Sequence, residues 1–185
     1  FPAATTQFHE DLSVDIDATQ RVLDALVNDG VTGLIVMGTC GENNSLDPDE
    51  KRKILAAAVE VVKGRVPVVT GVSEFDTRRA MAYARDAEKI GADGLMVLPA
   101  MVYVPKPEEL ATHFRMVAEA TALPIMLYNN PPAYRVNIGI DVLVLNGAVL
   151  CHTLYSVPGL LLMRPMGLLV RKEPGILAHD LLIAA

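Results

Sequence analysis

Residues 28–39 read "NDGVTGLIVMGT", and residues 89–100 read "KIGADGLMVLPA". In each, a helix end meets a glycine, a short turn, a second glycine and then an apolar run. Two copies of one joint define the repeating unit: a helix that delivers the chain into a buried strand. Outward from these joints, "PAATT" (2–6), "VPVVTGV" (66–72) and "LPIMLYNN" (123–130) have the composition of further strands. Each is almost wholly apolar, as a strand covered on both faces must be.

The connecting segments are amphipathic. Asp15 to Asp29 predicts a helix with Ile16, Val22, Leu23, Leu26 and Val27 on one face, stopped at Gly30. A second helix starts with Asp47 as N-cap and Pro48 at its first position, and Gly64 closes it. A third runs from Asp76 to Ile90, and a fourth covers "KPEELATHFRMVAEATA" (106–122). Strands joined through helices pair in parallel, so the expected class is α/β with a parallel sheet whose ligands sit at the carboxyl ends of the strands. Thr5 and Thr6, Gly38 to Glu42, Ser73 and Glu74, Pro99 to Lys106 and Tyr128 to Arg135 fall at those ends.

After residue 145 the character changes. Residues 146–185 are rich in leucine and proline and show no clear helix or strand period, which divides the chain into 1–145 and a tail, 146–185. The stretch "GLLLMRPMGLLV" (159–170) is too short for a bilayer and is broken by Arg164 and Pro165. The start, "FPAATTQF", lacks the basic and apolar regions of a signal peptide. With 22 acidic against 16 basic residues, a net charge of −6 and no Lys/Arg block, nucleic acid is not an expected partner. The two cysteines, Cys40 and Cys151, form no CxxC or zinc spacing. Neither a disulfide framework nor a metal site is predicted, and a reducing cytoplasm is the expected location.

Two stretches carry chemistry. In "VMGTCGENNSL" (36–46), glycine turns the chain off a strand, and successive N–H groups with the Thr39 hydroxyl can face an anion. The alternative is that Thr39 only caps a turn. A third reading, Cys40 as a nucleophile, needs a neighbouring base, and neither His113, which reads as helical, nor His9, beyond the first strand, supplies one. In "MLYNNPPAYR" (126–135), a strand end holds the Tyr128 phenol at the mouth of a site as a proton donor or acceptor; it could equally be an amphipathic plug.

"GTCGENNSL", "PAMVYVPKP" and "YNNPP", each following a strand, in that order, together resemble the successive motifs of the dihydrodipicolinate synthase / N-acetylneuraminate lyase family. The likeness covers about Pro2 to Leu145. It implies a (β/α)8 barrel, usually a homotetramer, that forms a Schiff base between a lysine on the sixth strand and a small 2-keto acid or cyclic imino acid, with no metal or other cofactor. By position, Thr39 and Cys40 match the carboxylate-binding pair, Tyr128 the proton-shuttling tyrosine and Tyr103 the tyrosine completing a proton relay. Within the family the wording is closest to the 1-pyrroline-4-hydroxy-2-carboxylate deaminase branch. The synthase branch is the alternative, but where it carries an arginine for the second substrate's carboxylate this chain has Ala133, with Tyr134 and Arg135 beyond.

The lysine is the difficulty. Lys51 and Lys53 lie in the first turns of a helix, Lys63 and Lys89 near helix ends, and Lys106 in a loop. Only Lys172, in "GLLVRKEP", follows an apolar run, and it is out of register with the family's spacing from Tyr128, which points near Ser156. Its alternative is a solvated turn before Pro174. A complete barrel takes about 250 residues. The tail is then a divergent or frame-altered ending, or segments of a longer chain are missing, and an inactive barrel fragment stands as the alternative to an enzyme.

Overall fold

The computed structural model describes residues 1–100 and 102–138, together with the backbone of residues 150–153, 156–157 and 160–161. Helix α1 (Ile16–Asn28) is followed by β1 (Leu34–Val36), α2 (Pro48–Val62), β2 (Val68–Val72), α3 (Thr77–Ile90), β3 (Gly94–Val97), α4 (Pro107–Glu119), β4 (Ile125–Asn129), the single turn α5 (Pro131–Tyr134) and β5 (Leu150–Thr153). The sheet order is β1-β2-β3-β4-β5, every neighbouring pair parallel. Consecutive strands lie side by side, as short helical crossovers of one hand require. A small antiparallel pair, β6 (Ser156–Val157) and β7 (Leu160–Leu161), lies apart from this sheet.

The helices start where their side chains can cap them. The Asp15 carboxylate accepts from the Ala18 N–H at 2.7 Å, and that of Asp76 from the Arg79 N–H at 2.8 Å. The N–H groups of Asp47 and Lys106 donate to Glu50 and Glu109, each at 2.8 Å, before a proline at the first helical position. Leu23, Leu34, Leu55, Ala58, Ala84, Leu95, Phe114 and Leu127 are fully buried, so helices and sheet share one core. Of the face expected on α1, only Leu23 is fully buried; Ile16, Leu26 and Val27 pack half-exposed at its margin.

Three local expectations change. "PAATT" forms a parallel bridge, Ala3 to Ile35, with the Ala4 N–H donating to Ile35 O at 2.8 Å, too short a pairing to be a strand. The left-handed cap of α2 falls on Lys63 (φ 51°), one residue before Gly64 (φ 71°). And residues 150–153, where no period was legible, pair in register with Met126–Asn129. Four residues are too few for a period to show, and a strand added to an open edge is held by its backbone groups. That pairing sets His152 opposite Tyr128.

Candidate active site

The apolar run of β1 ends in a backbone that turns sharply. Met37 adopts a left-handed conformation (φ 51°), and so does Glu42 (φ 56°), so the Thr39–Cys40 turn is bracketed by two non-glycine residues in a region that L side chains disfavour. Gly38 O accepts from the Gly41 N–H at 3.1 Å and from that of Asn43 at 3.5 Å, and Thr39 O from the Glu42 N–H at 3.1 Å. Thr6, buried beside the turn, donates its hydroxyl to Gly41 O at 2.8 Å. The N–H groups of Thr39 and Cys40 have no acceptor among the described residues.

β2 closes against this turn so tightly that a Cβ on Gly71 would lie 2.0 Å from Met37 O. No side chain fits there, so the glycine permits the two strand ends to approach. Beneath them Tyr83 is 2% exposed, its hydroxyl 2.9 Å from that of Thr70 and 3.7 Å from Met37 Sδ. Burial raises its pKa, so it is a neutral phenol of the core.

The second wall is "YNNPPAY". Asn129 and Asn130 do different work. The buried Asn129 accepts from the Ile138 N–H at 3.0 Å, tying the end of β4 to the chain after α5. Asn130 caps α5, accepting from the Ala133 N–H at 3.3 Å, while its amide donates to the Tyr128 hydroxyl at 3.0 Å. With Pro131 and Pro132 completing the turn, Tyr134 swings back over the strand end. Its ring meets that of Tyr128 edge-on, centroids 5.8 Å apart, and its hydroxyl shares a short hydrogen bond with that of Thr39. Burial raises the Tyr134 pKa, and the bond from Thr39 opposes the shift.

Thr39 and Tyr128 are therefore brought to one place, and the link between them is Tyr134, a residue that sequence reasoning passed over. The signal was present: an Asn N-cap followed by two prolines makes a one-turn helix, which returns its fourth residue toward the preceding strand. Tyr103 lies elsewhere on the rim. It is 59% exposed, and among the described residues it bonds to neither Thr39 nor Tyr128, though it lines a cavity of about 260 Å³ together with Pro99, Ala100, Tyr134 and Arg135. Cys40 is exposed and free, with no hydrogen bond among the described residues. His113 is buried on α4, 3.2 Å from Leu98 O through Nε2 and 3.0 Å from the Thr77 hydroxyl through Nδ1, and burial lowers its pKa. Lys172 lies outside the described residues.

Lys51 departs from the sequence reading, which treated it with the other helix lysines. It is buried, and its ammonium lies 2.8 Å from the Glu74 carboxylate, also nearly buried, just past β2. Two charges distant in sequence meet only because α2 packs on β2. Among the described residues no three His, Cys, Asp or Glu side chains could hold a metal ion, and no helix is long and apolar enough to cross a membrane.

Comparison with known proteins places the fold. Residues 1–149 match the model of the dihydrodipicolinate synthetase family, and the chain belongs to that family. It is 40% identical over 136 residues to the 4-hydroxy-tetrahydrodipicolinate synthase of Desulforamulus reducens, which covers 74% of this chain and 46% of that relative. Among solved structures, a dihydrodipicolinate synthase from Bacillus anthracis superposes with a TM-score of 0.73 at 33% identity, covering 77% of this chain and 49% of the other. An Escherichia coli K12 prophage protein of the dihydrodipicolinic acid synthase family, solved with pyruvate, gives 0.74 at 30% identity, covering 77% and 48%. The five-stranded parallel α/β sheet is thus of this family's TIM-barrel type, incomplete in this chain, which spans about half the length of the relatives it matches.

Proposed function

We propose that this chain carries the carboxylate-binding and tyrosine side of a class I aldolase-type lyase site. The substrate is a small 2-keto acid or cyclic imino acid held as a Schiff base on a lysine. The observation that carries this reading is the bond between Thr39 and Tyr134, with Tyr128 packed against Tyr134, at the carboxyl ends of β1 and β4. A turn with a hydroxyl and two uncommitted N–H groups suits a carboxylate, and the buried phenol of Tyr128 suits proton transfer to a substrate beside it. Attack by a neutral lysine on the keto carbon, with one proton taken up at the departing oxygen, expels water and leaves an iminium, which accepts the electron pair released when the adjacent bond breaks.

Thr39 and Cys40 are assigned to the substrate carboxylate, Tyr128 to proton shuttling, Tyr103 to completing the proton relay and Lys172 to the Schiff base. Residues 1–145 are assigned to the first five βα units and 146–185 to a segment of different character; a homotetramer in the cytoplasm follows from the family reading. At the finer level, Ala133 in place of the synthase branch's arginine supports 1-pyrroline-4-hydroxy-2-carboxylate deaminase. The relatives' own name, 4-hydroxy-tetrahydrodipicolinate synthase, supports the second reading.

Borohydride trapping with pyruvate, read by intact mass and peptide mapping, tests the proposal. A stable adduct on Lys172 is expected. No adduct on any lysine leaves an inactive barrel fragment. Product analysis with each of the two substrates then separates deaminase from synthase.

A further inference from the structure

Asn43, which no part of the proposed chemistry uses, is 1% exposed and sits one residue beyond the left-handed Glu42. Its amide nitrogen donates to Met37 O at 3.0 Å and to Gly71 O at 3.1 Å, and its oxygen has no partner. Both neighbours are carbonyl oxygens, so the nitrogen must face them. An unpartnered buried acceptor is destabilising, because it has lost its water and gained nothing in return. The side chain is therefore held there for its two donors and in spite of its oxygen.

The place explains the need. Met37 O and Gly71 are crowded to the point that no Cβ fits between them; Met37 lies one residue past β1, and Gly71, still inside β2, lies beyond the last residue pair of the β1–β2 ladder, Val36 with Thr70. Met37 also carries a left-handed backbone, which an L residue adopts only at a cost. Such a conformation persists only where surrounding bonds over-determine it. Asn43 grips the turn twice: its side chain holds Met37 O, and its backbone N–H reaches Gly38 O at 3.5 Å. Thr39 and Cys40 lie in the turn that these grips close, between Gly38 and Asn43.

We propose that Asn43 is a positioning residue: by bridging the Met37 and Gly71 carbonyls it locks the Met37 backbone and so sets the direction of the Thr39 hydroxyl and of the Thr39 and Cys40 N–H groups. It touches no substrate. Its bearing on catalysis rests on the carboxylate reading of the turn; its geometric part does not.

The number of donors, separated from volume, decides the matter. Asn43→Asp keeps the shape and at neutral pH supplies no donor, Asn43→Ser keeps one donor in a smaller volume, and Asn43→Ala keeps neither. A trifluoromethyl label on Cys40, in the full chain with Cys151 changed to Ser, reports the turn by fluorine NMR without any substrate. One sharp line is expected for the parent and for Asn43→Ser a shift of the line with little broadening, whereas Asn43→Asp and Asn43→Ala give split or broad lines. If Asn43→Asp keeps the parent line while Asn43→Ser and Asn43→Ala lose it, the residue merely fills space and the proposal fails. It fails equally if all three variants keep the parent line and only their melting temperatures fall. Should Asn43→Ala not fold, the Asp and Ser variants alone give the same decision. Where the parent turns over a 2-keto acid, Asn43→Ser should raise KM on the order of tenfold with kcat nearly unchanged, the equivalent of about one hydrogen bond. Absence of turnover in the parent counts against the proposed function and leaves the fluorine result standing.

Discussion

The two rims of the site are built differently. Above β1 and β2, the chain is held from inside at three points: Asn43 bridges two carbonyls, Thr6 holds Gly41, and Lys51 meets Glu74 in a nearly dry setting. Above β3, Val102, Tyr103 and Val104 are each more than half exposed, and no side-chain bond of theirs is seen among the described residues. The first rim is specified by buried polar contacts, each costly to leave unmade. The second is a surface loop whose side chains adapt to what surrounds them. A residue assigned by motif to the first rim can be trusted to a position. One assigned to the second, such as Tyr103, can be trusted only to a neighbourhood.

The largest way to break this contrast is to strand a buried charge. Lys51→Met leaves the Glu74 carboxylate uncompensated and is expected to cost about 3–5 kcal/mol in chemical denaturation, while the double change with Glu74→Leu recovers most of it. If the single change costs under about 1 kcal/mol, the first rim is no more rigid than an exposed ion pair would make it.

A smaller effect sharpens the join between the rims. His113 is neutral in the folded protein because burial lowers its pKa, and its ring bonds Leu98 O at the end of β3. The unfolded chain takes up this proton near pH 6.5 and the folded protein only below that. More protons bound on unfolding means stability falls as pH drops from about 6.5 toward the lower folded pKa, and is fully present above it. Asn or Gln at position 113 should flatten that part of the stability curve; an unchanged slope would show that other groups produce it.

The smallest effects separate the tyrosines. Tyr134→Phe removes one hydrogen bond and should cost about 1 kcal/mol. Tyr103→Phe should stay within about 0.5 kcal/mol, as surface changes do. Equal losses would mean that Tyr103 is tied down as firmly as Tyr134, and the contrast between rims would be lost.

Much of this was open to reading in the letters. The repeated helix-to-strand joint, aspartates before helices and prolines at their first turns act within a few residues, and these local signals placed α1 to α4 to within three residues at either end. The places of Thr39 and Tyr128 near strand ends were legible because Thr39 comes three residues after β1 and Tyr128 one residue before the end of β4. Strand β5 was not, since four residues against an open edge need no pattern of their own. Nor was the Lys51–Glu74 pair, whose members are 23 positions apart on different elements.

Sequence by itself determined the kind of fold, the joints between its units and the identities of the groups at the strand ends, because apolar period, capping and turn chemistry are local properties. Tertiary structure alone decided which groups meet. The approach of β1 to β2 across Gly71, the two carbonyls it leaves for Asn43 to bridge, and the return of Tyr134 onto Thr39 are contacts between separate elements. Their geometry is set by packing, which no short stretch of sequence contains.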